Sequence, residues 1–191
     1  MVSSIVGRIQ EVVGKEHPVD LHVPFFNEKD IEYVTACVRS GWVSSVGEYV
    51  NRFESEIAAY TQSKYAVAVC NGTAALHICL KLAGVEPGDE VFAPSFTFVA
   101  TANAIAYCQA TPHFVDISSK DFGVDAQALQ AHIETTCEEK GGILFNRRTG
   151  RRIRALVVMH TFGNPSDIEN LRSLCSRYHL NFVNYENPYF L

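Results

Sequence analysis

The stretch Lys64-Tyr65-Ala66-Val67-Ala68-Val69-Cys70, followed at once by Asn71-Gly72-Thr73-Ala74-Ala75-Leu76, decides the fold. Its first part is a short apolar run of strand type, and its second opens a helix predicted from Thr73 to Ala83. A strand passing directly into a helix begins a βα unit. The alternation then repeats downstream. Pro87-Gly88-Asp89 predicts a turn, Glu90 to Ala93 a strand, Thr97 to Cys108 a helix, and Pro112 to Ile117 a strand. Asp125 caps a predicted helix reaching about Glu138, and Arg154 to His160 reads as a buried strand. Ser166 and Glu169 have the spacing of a capping box, opening a helix to His179. Leu180 to Val183 starts another strand. Strands alternating with helices imply an α/β fold: a three-layer αβα arrangement around a mostly parallel sheet.

Upstream of the deciding stretch the periods are helical. Ile5, Ile9, Val12 and Val13 share one face of a helix from Ser4 to Val13, and a linker with Pro18 and Pro24 follows. Asn27 then has the position of an N-cap, with Asp30 in the first turn of a helix to Ser40. Ile31, Val34 and Val38 form its apolar face, and Gly41 fits its stop. A further helix spans Tyr49 to Tyr60, with Val50, Phe53, Ile57 and Ala58 inward.

Composition narrows the function classes. Of 191 residues, 47% are apolar and 19% charged, which suits a globular chain with a sizeable core and argues against disorder. A net charge of −5 gives no reason to expect nucleic acid or an anionic membrane as partner. The mostly apolar run from Phe92 to Cys108 is broken by Ser95, Thr97, Thr101 and Asn103, so it reads as a buried helix, not a membrane span. The N-terminus lacks the pattern of a secretory signal. The six cysteines form no Cys-x-x-Cys pair, so free thiols in a reducing cytoplasm are expected, with no disulfide framework and no metal site.

Four segments have the position and chemistry of binding loops. Gly72, Thr73 and Ala74 open a helix just beyond a strand, where free N–H groups and the helix dipole favour a phosphate. The structural alternative is a plain turn capped by Thr73. Pro94-Ser95-Phe96-Thr97-Phe98 occupies the next strand end, where an aromatic ring could stack on a planar ligand; otherwise Phe96 and Phe98 are core residues. Ser40-Gly41-Trp42-Val43-Ser44-Ser45-Val46-Gly47 joins two helices, with Trp42 as packing anchor or ligand contact. His160-Thr161-Phe162-Gly163-Asn164-Pro165 leaves a third strand end, and His160 reads best as a satisfied buried histidine. Arg147, Arg148, Arg151, Arg152 and Arg154 surround Thr149-Gly150 in a hairpin-like excursion. That cluster is either a solvated basic loop or a contact to a second subunit or a nucleotide diphosphate.

The order of these motifs, with Met159-His160-Thr161-Phe162-Gly163-Asn164-Pro165 last, resembles the DegT/DnrJ/EryC1/StrS family of sugar aminotransferases over about residues 20 to 183. That resemblance implies an aspartate-aminotransferase (type I) fold, pyridoxal 5'-phosphate (PLP) as cofactor and a homodimer. It further implies transfer of an amino group, from glutamate, to C4 of a UDP-linked 4-keto-6-deoxy sugar, as in the legionaminic-acid-type branch. Residues 1–20 would be an N-terminal helix and linker, 21–183 part of the PLP-binding large domain, and 184–191 a divergent tail. By the same resemblance Gly72, Thr73 and Ala74 would hold the cofactor phosphate and Phe98 would stack on its ring. Trp42, Ser44, Ser45 and Asn164 would lie on the substrate side.

The pattern departs at the end. Where the family has a Glu-Asp-Ala-Ala motif, this sequence reads Asn184-Tyr185-Glu186-Asn187, with Tyr185 in the place of the aspartate that holds the pyridine nitrogen protonated. The family's Schiff-base lysine has no counterpart. Lys15, Lys29, Lys64, Lys81, Lys120 and Lys140 all sit in polar surroundings. The expectation is therefore a chain without catalytic residues of its own, inactive by itself. The alternative is a non-catalytic module that binds phosphate or a nucleotide sugar, or docks on a full-length partner.

Overall fold

A computed structural model describes residues 2–14 and 24–185. The chain divides after Ala68 into two compact units.

The first unit is helical: α1 (Val2–Val13), α2 (Glu28–Ser40) and α3 (Glu48–Tyr60). Asn27 and Asp30 close a complete capping box on α2. The Asn27 side chain accepts from the Lys29 N–H, and Asp30 Oδ2 accepts from the Asn27 N–H at 2.7 Å. Gly41 ends that helix in the left-handed conformation at φ 77°, which a side chain would disfavour. The expected inward faces are not covered: Ile31, Val34, Val38 and Phe53 are exposed, and none of the three helices has a buried residue. Amphipathic helices need an apolar layer opposite them, and this unit contains no strand among its described residues. The linker position Pro18 lies outside the described residues.

The second unit carries the α/β core. In order it runs α4 (Gly72–Leu82), β1 (Glu90–Pro94), α5 (Val99–Tyr107), β2 (Thr111–Val115), α6 (Ala126–Thr136), β3 (Cys137–Lys140), β4 (Ile143–Asn146), β5 (Arg152–Met159), α7 (Ile168–Arg177) and β6 (Asn181–Tyr185). Strands β2, β1, β5 and β6 are parallel neighbours, while β3 and β4 form an antiparallel hairpin beside the start of β5. Every residue of β1 is buried, as expected for a parallel strand covered on both faces.

Alternation along the strands sorts two cores. Val91, Ala93, Ala155, Val157 and Val183 point toward α4 and α5, joining Leu76, Leu80, Ala104 and Ile105. Phe92, Leu156 and Val158 point the other way, toward Leu129 and Ile133 of α6 and Leu171 and Leu174 of α7. The result is the expected three-layer architecture with a mostly parallel sheet.

Several local expectations differ from the structure. Lys64–Cys70 joins no ladder among the described strands, and Tyr65 and Val67 are exposed. A strand is a property of a pair, and this run has only its own half. The cap of α4 is Asn71, whose Oδ1 accepts from the Ala74 N–H at 2.9 Å, not Thr73. Helix α5 starts at Val99, two residues late, because Thr97 Oγ1 and the Phe98 N–H are both directed to the Met159 sulfur. Ser166 does not cap α7; it is buried and donates to the Met159 carbonyl, while Asp167 caps the helix. The helix expected to reach Glu138 ends at Thr136, and its last residues form β3.

The basic excursion is not simply solvated. Arg152 makes a bidentate pair with Asp89 at 2.8 and 2.7 Å, Arg154 donates to the Ala83 carbonyl, and Arg147 to the Cys137 carbonyl. The cysteines are free; Cys108, Cys137 and Cys175 are buried, whereas Cys70 and Cys79 are exposed. No helix among the described residues is long and apolar enough to cross a membrane.

Candidate active site at the strand ends

Ligands in open α/β sheets bind beyond the carboxyl ends of the parallel strands. Here those ends are Pro94, Met159 and Tyr185, with Met159 and Tyr185 directly paired in register. The His160 N–H donates to the Tyr185 carbonyl, extending the ladder by one bond.

Two helices open at this edge on the same face of the sheet. Helix α4 presents Gly72 as its first residue, and a Cβ built there would lie 3.3 Å from the Tyr185 hydroxyl. The close approach of backbone to phenol is possible because residue 72 has no side chain. The Ala74 N–H is taken by the Asn71 cap, and the Ala75 N–H by the Asn71 carbonyl. The N–H groups of Gly72 and Thr73 precede any intrahelical acceptor and point outward with the positive end of the helix dipole. Phe98, the N-cap of helix α5, is tied with Thr97 to the β5 end through the Met159 sulfur, which lies 3.0 Å from Thr97 Oγ1 and 3.3 Å from the Phe98 nitrogen. The chain of contacts is therefore Gly72, Tyr185, Met159, Thr97 and Phe98.

Phe98 and Phe96 are not core residues: they are 57% and 44% exposed at the strand edge. Phe96 makes edge contacts with Phe122 and Phe162, and both of these hold left-handed backbone conformations, at φ 62° and 55°. Bulky residues rarely adopt that region, so the loops after β2 and β5 are held there by their surroundings. Thr161 Oγ1 donates to the Phe122 carbonyl and links the two loops. The sequence reading passed over this aromatic group, whose members lie far apart in the chain.

His160 is buried, and its Nδ1 accepts from the Ser166 N–H at 3.0 Å, a satisfied histidine. Asn164 is exposed on the loop after β5. Trp42, Ser44 and Ser45 belong to the first unit. Trp42 is exposed and lines a shallow hollow with Gly47, Asn51 and Arg52, and the Ser44 hydroxyl accepts from the Val46 N–H at 3.4 Å. A separate polar cleft lies on the other face of the sheet, between Ser118, Asp121 and Gln130 on one side and Asp167 and Arg177 of α7 on the other.

The strand-end groups match a phosphate and the face of an aromatic ring: outward N–H donors, a hydroxyl at Thr73 and an exposed ring at Phe98. They do not supply a carboxylate at the position of Tyr185. Lys81 sits in the last turn of α4, the opposite end of the helix from Gly72.

Comparison with known proteins places this arrangement. Residues 24–184 match the model of the DegT/DnrJ/EryC1/StrS aminotransferase family. The chain is similar to GDP-perosamine synthase of Vibrio cholerae, 34% identical over 165 residues, covering 86% of this chain and 41% of that protein. Among solved structures it is similar to DesV of S. venezuelae, in complex with a ketimine intermediate. That match has a TM-score of 0.67 and 30% identity, over 85% of this chain and 42% of the other. Spr1654 of Streptococcus pneumoniae in its PLP form matches with a TM-score of 0.69 and 26% identity, over 90% of this chain and 39% of the other. The chain spans about two-fifths of the length of these relatives. With phosphate-type donors and an exposed aromatic ring at the strand ends and a family model matched along most of its length, the chain belongs to the DegT/DnrJ/EryC1/StrS aminotransferase family.

Proposed function

We propose that this chain forms the cofactor-binding front of a PLP-dependent aminotransferase of nucleotide-sugar and polysaccharide biosynthesis. The whole protein would transfer an amino group from glutamate to C4 of a UDP-linked 4-keto-6-deoxy sugar and work as a homodimer. The carrying observation is the convergence of the first turn of α4, Tyr185 and Phe98 on one face at the ends of β1, β5 and β6.

In this reading the Gly72 and Thr73 N–H groups and the Thr73 hydroxyl hold the phosphate, Ala74 fixes the turn through Asn71, and Phe98 covers one face of the ring. Trp42, Ser44, Ser45 and Asn164 are assigned to the substrate side. Bound PLP would supply the electron sink for the carbon exchanging its amino group. Tyr185 is a neutral phenol that does not hold a ring nitrogen protonated as a carboxylate does, so this end of the site departs from the cofactor. The lysine needed for proton movement would come from outside this chain. UDP rests on the resemblance of Met159 to Gly163, and of the long stretch before Arg154, to the legionaminic-acid-type branch; the Vibrio cholerae relative is named for a GDP sugar, so GDP is the competing nucleotide.

The test has two arms. PLP titrated into the 191-residue chain should bind noncovalently at one site, be displaced by inorganic phosphate, and bind more weakly to Thr73→Val and Phe98→Ala. Equal affinity in both variants would refute the site. The whole protein, given glutamate, should aminate a UDP-4-keto-6-deoxy sugar faster than its GDP counterpart; the reverse order would refute the nucleotide assignment.

A further inference from the structure

At the opposite edge of the sheet lies a second cluster that the strand-end site does not use. Glu90, the first residue of β1, is 3% exposed. Its Oε2 lies 2.7 Å from His113 Nδ1 on β2 and accepts from Asn146 Nδ2 at 2.8 Å. Its Oε1 accepts from Thr149 Oγ1 at 2.6 Å. His113 Nε2 in turn lies 2.7 Å from His132 Nε2 on α6, with the rings nearly perpendicular at 84°. Both imidazoles rest edge-on against Phe92, at 4.8 and 6.2 Å between centroids.

Proton counting fixes what this contact can be. Two nitrogens at that distance need one proton between them. The Glu90 carboxylate accepts the His113 Nδ1–H. The remaining bond then exists in two forms. Neutral His132 donates to His113, or the His113 imidazolium donates to neutral His132. When both rings are protonated, two N–H groups face each other and the bond is lost.

We propose that His113 and His132 form an acid-released latch, in which one shared proton ties β2 to α6 and a second proton breaks the tie, loosening α6 and the β3–β4 hairpin that follows it. The second proton is governed by burial and by two charged neighbours, His113 and Asp116. Burial and the charge on His113 lower the His132 pKa, with Asp116 opposing them. Arg147 and Arg148, after β4, line the same hollow, and Arg151 lines the neighbouring one beside His113. Burial pushes the Glu90 carboxyl up, but hydrogen bonds from Thr149, Asn146 and His113 outweigh it and hold the pKa below its ordinary value, so the anchor stays charged. Burial raises the Cys137 thiol, which stays neutral.

The sign follows. A histidine whose pKa is depressed by folding contributes stability fully present above the ordinary value near 6.5, lost progressively as pH falls below it. Amide hydrogen exchange on the 191-residue chain, corrected for the intrinsic pH dependence, reads this directly. Between pH 7.5 and 5.5, protection in residues 126–146 should fall severalfold. His132→Gln keeps a neutral donor and acceptor and cannot take the second proton, so its protection should stay flat. Imidazole nitrogen spectra of the wild type provide a readout independent of any variant: the pair should titrate in two separated steps. Equal loss of protection in wild type and variant, or two rings titrating independently at ordinary values, would overturn the latch.

Discussion

Replacing Asn71 by Asp separates the capping role of that residue from the site it borders. The two side chains are nearly isosteric and rank equally as N-caps, so the bond from the Ala74 N–H survives. A carboxylate at a helix N-terminus also gains about 0.3–1 kcal/mol from the dipole. Folding stability should therefore hold or rise slightly. A bound phosphate meets the opposite effect. At roughly 5 Å and an effective dielectric of about 40, each pair of unit charges repels by about 1.7 kcal/mol. Affinity for PLP and for inorganic phosphate should drop by at least roughly tenfold. Urea unfolding gives the first quantity and fluorescence titration of PLP the second. Unchanged affinity in a variant of unchanged stability would show that no phosphate sits at the first turn of α4.

Two further outcomes test the core. Phe92→Ala removes the largest fully buried side chain among the described residues, between Leu156 on its own sheet and the α6–α7 layer, and should cost about 3–5 kcal/mol in urea unfolding. Cys175, whose thiol burial pushes up to about 12, should resist alkylation at pH 8 while Cys70 and Cys79 react within minutes; peptide mass spectrometry showing Cys175 modified first would contradict its placement.

What the sequence made legible was local. The Asn27 N-cap, the Gly41 stop and the βα alternation all reside in a few neighbouring residues, and each appears in the structure. What it concealed was pairing. Tyr65, Val67 and Val69 alternate as a strand does, yet strand formation needs an edge to pair with. Conversely, Cys137-Glu138-Glu139-Lys140 is polar and follows a helix, and it becomes a strand because Ile143–Asn146 folds back on it. Ser166 has the spacing of a cap, but the Met159 carbonyl recruits its hydroxyl and leaves Asp167 to do the capping. At the strand ends, the position of Phe98 was readable from a strand-to-helix junction. The contact between His113 and His132 was not, because no motif links one residue on a strand to another on the following helix, 19 positions away.

The central position of β5 also sets an order of events in time. It pairs with β1, made long before it, and with β6, made after it. As the chain leaves the ribosome from its N-terminus, β1 and β2 emerge early, but one edge of β1 stays open until Arg152–Met159 appears. During that interval the β5-facing edge of β1 keeps its backbone groups unpaired, and loop closure across α5, α6 and the hairpin is slow. Chaperone binding to this nascent chain should therefore concentrate on the β1–β2 pair and end when β5 docks.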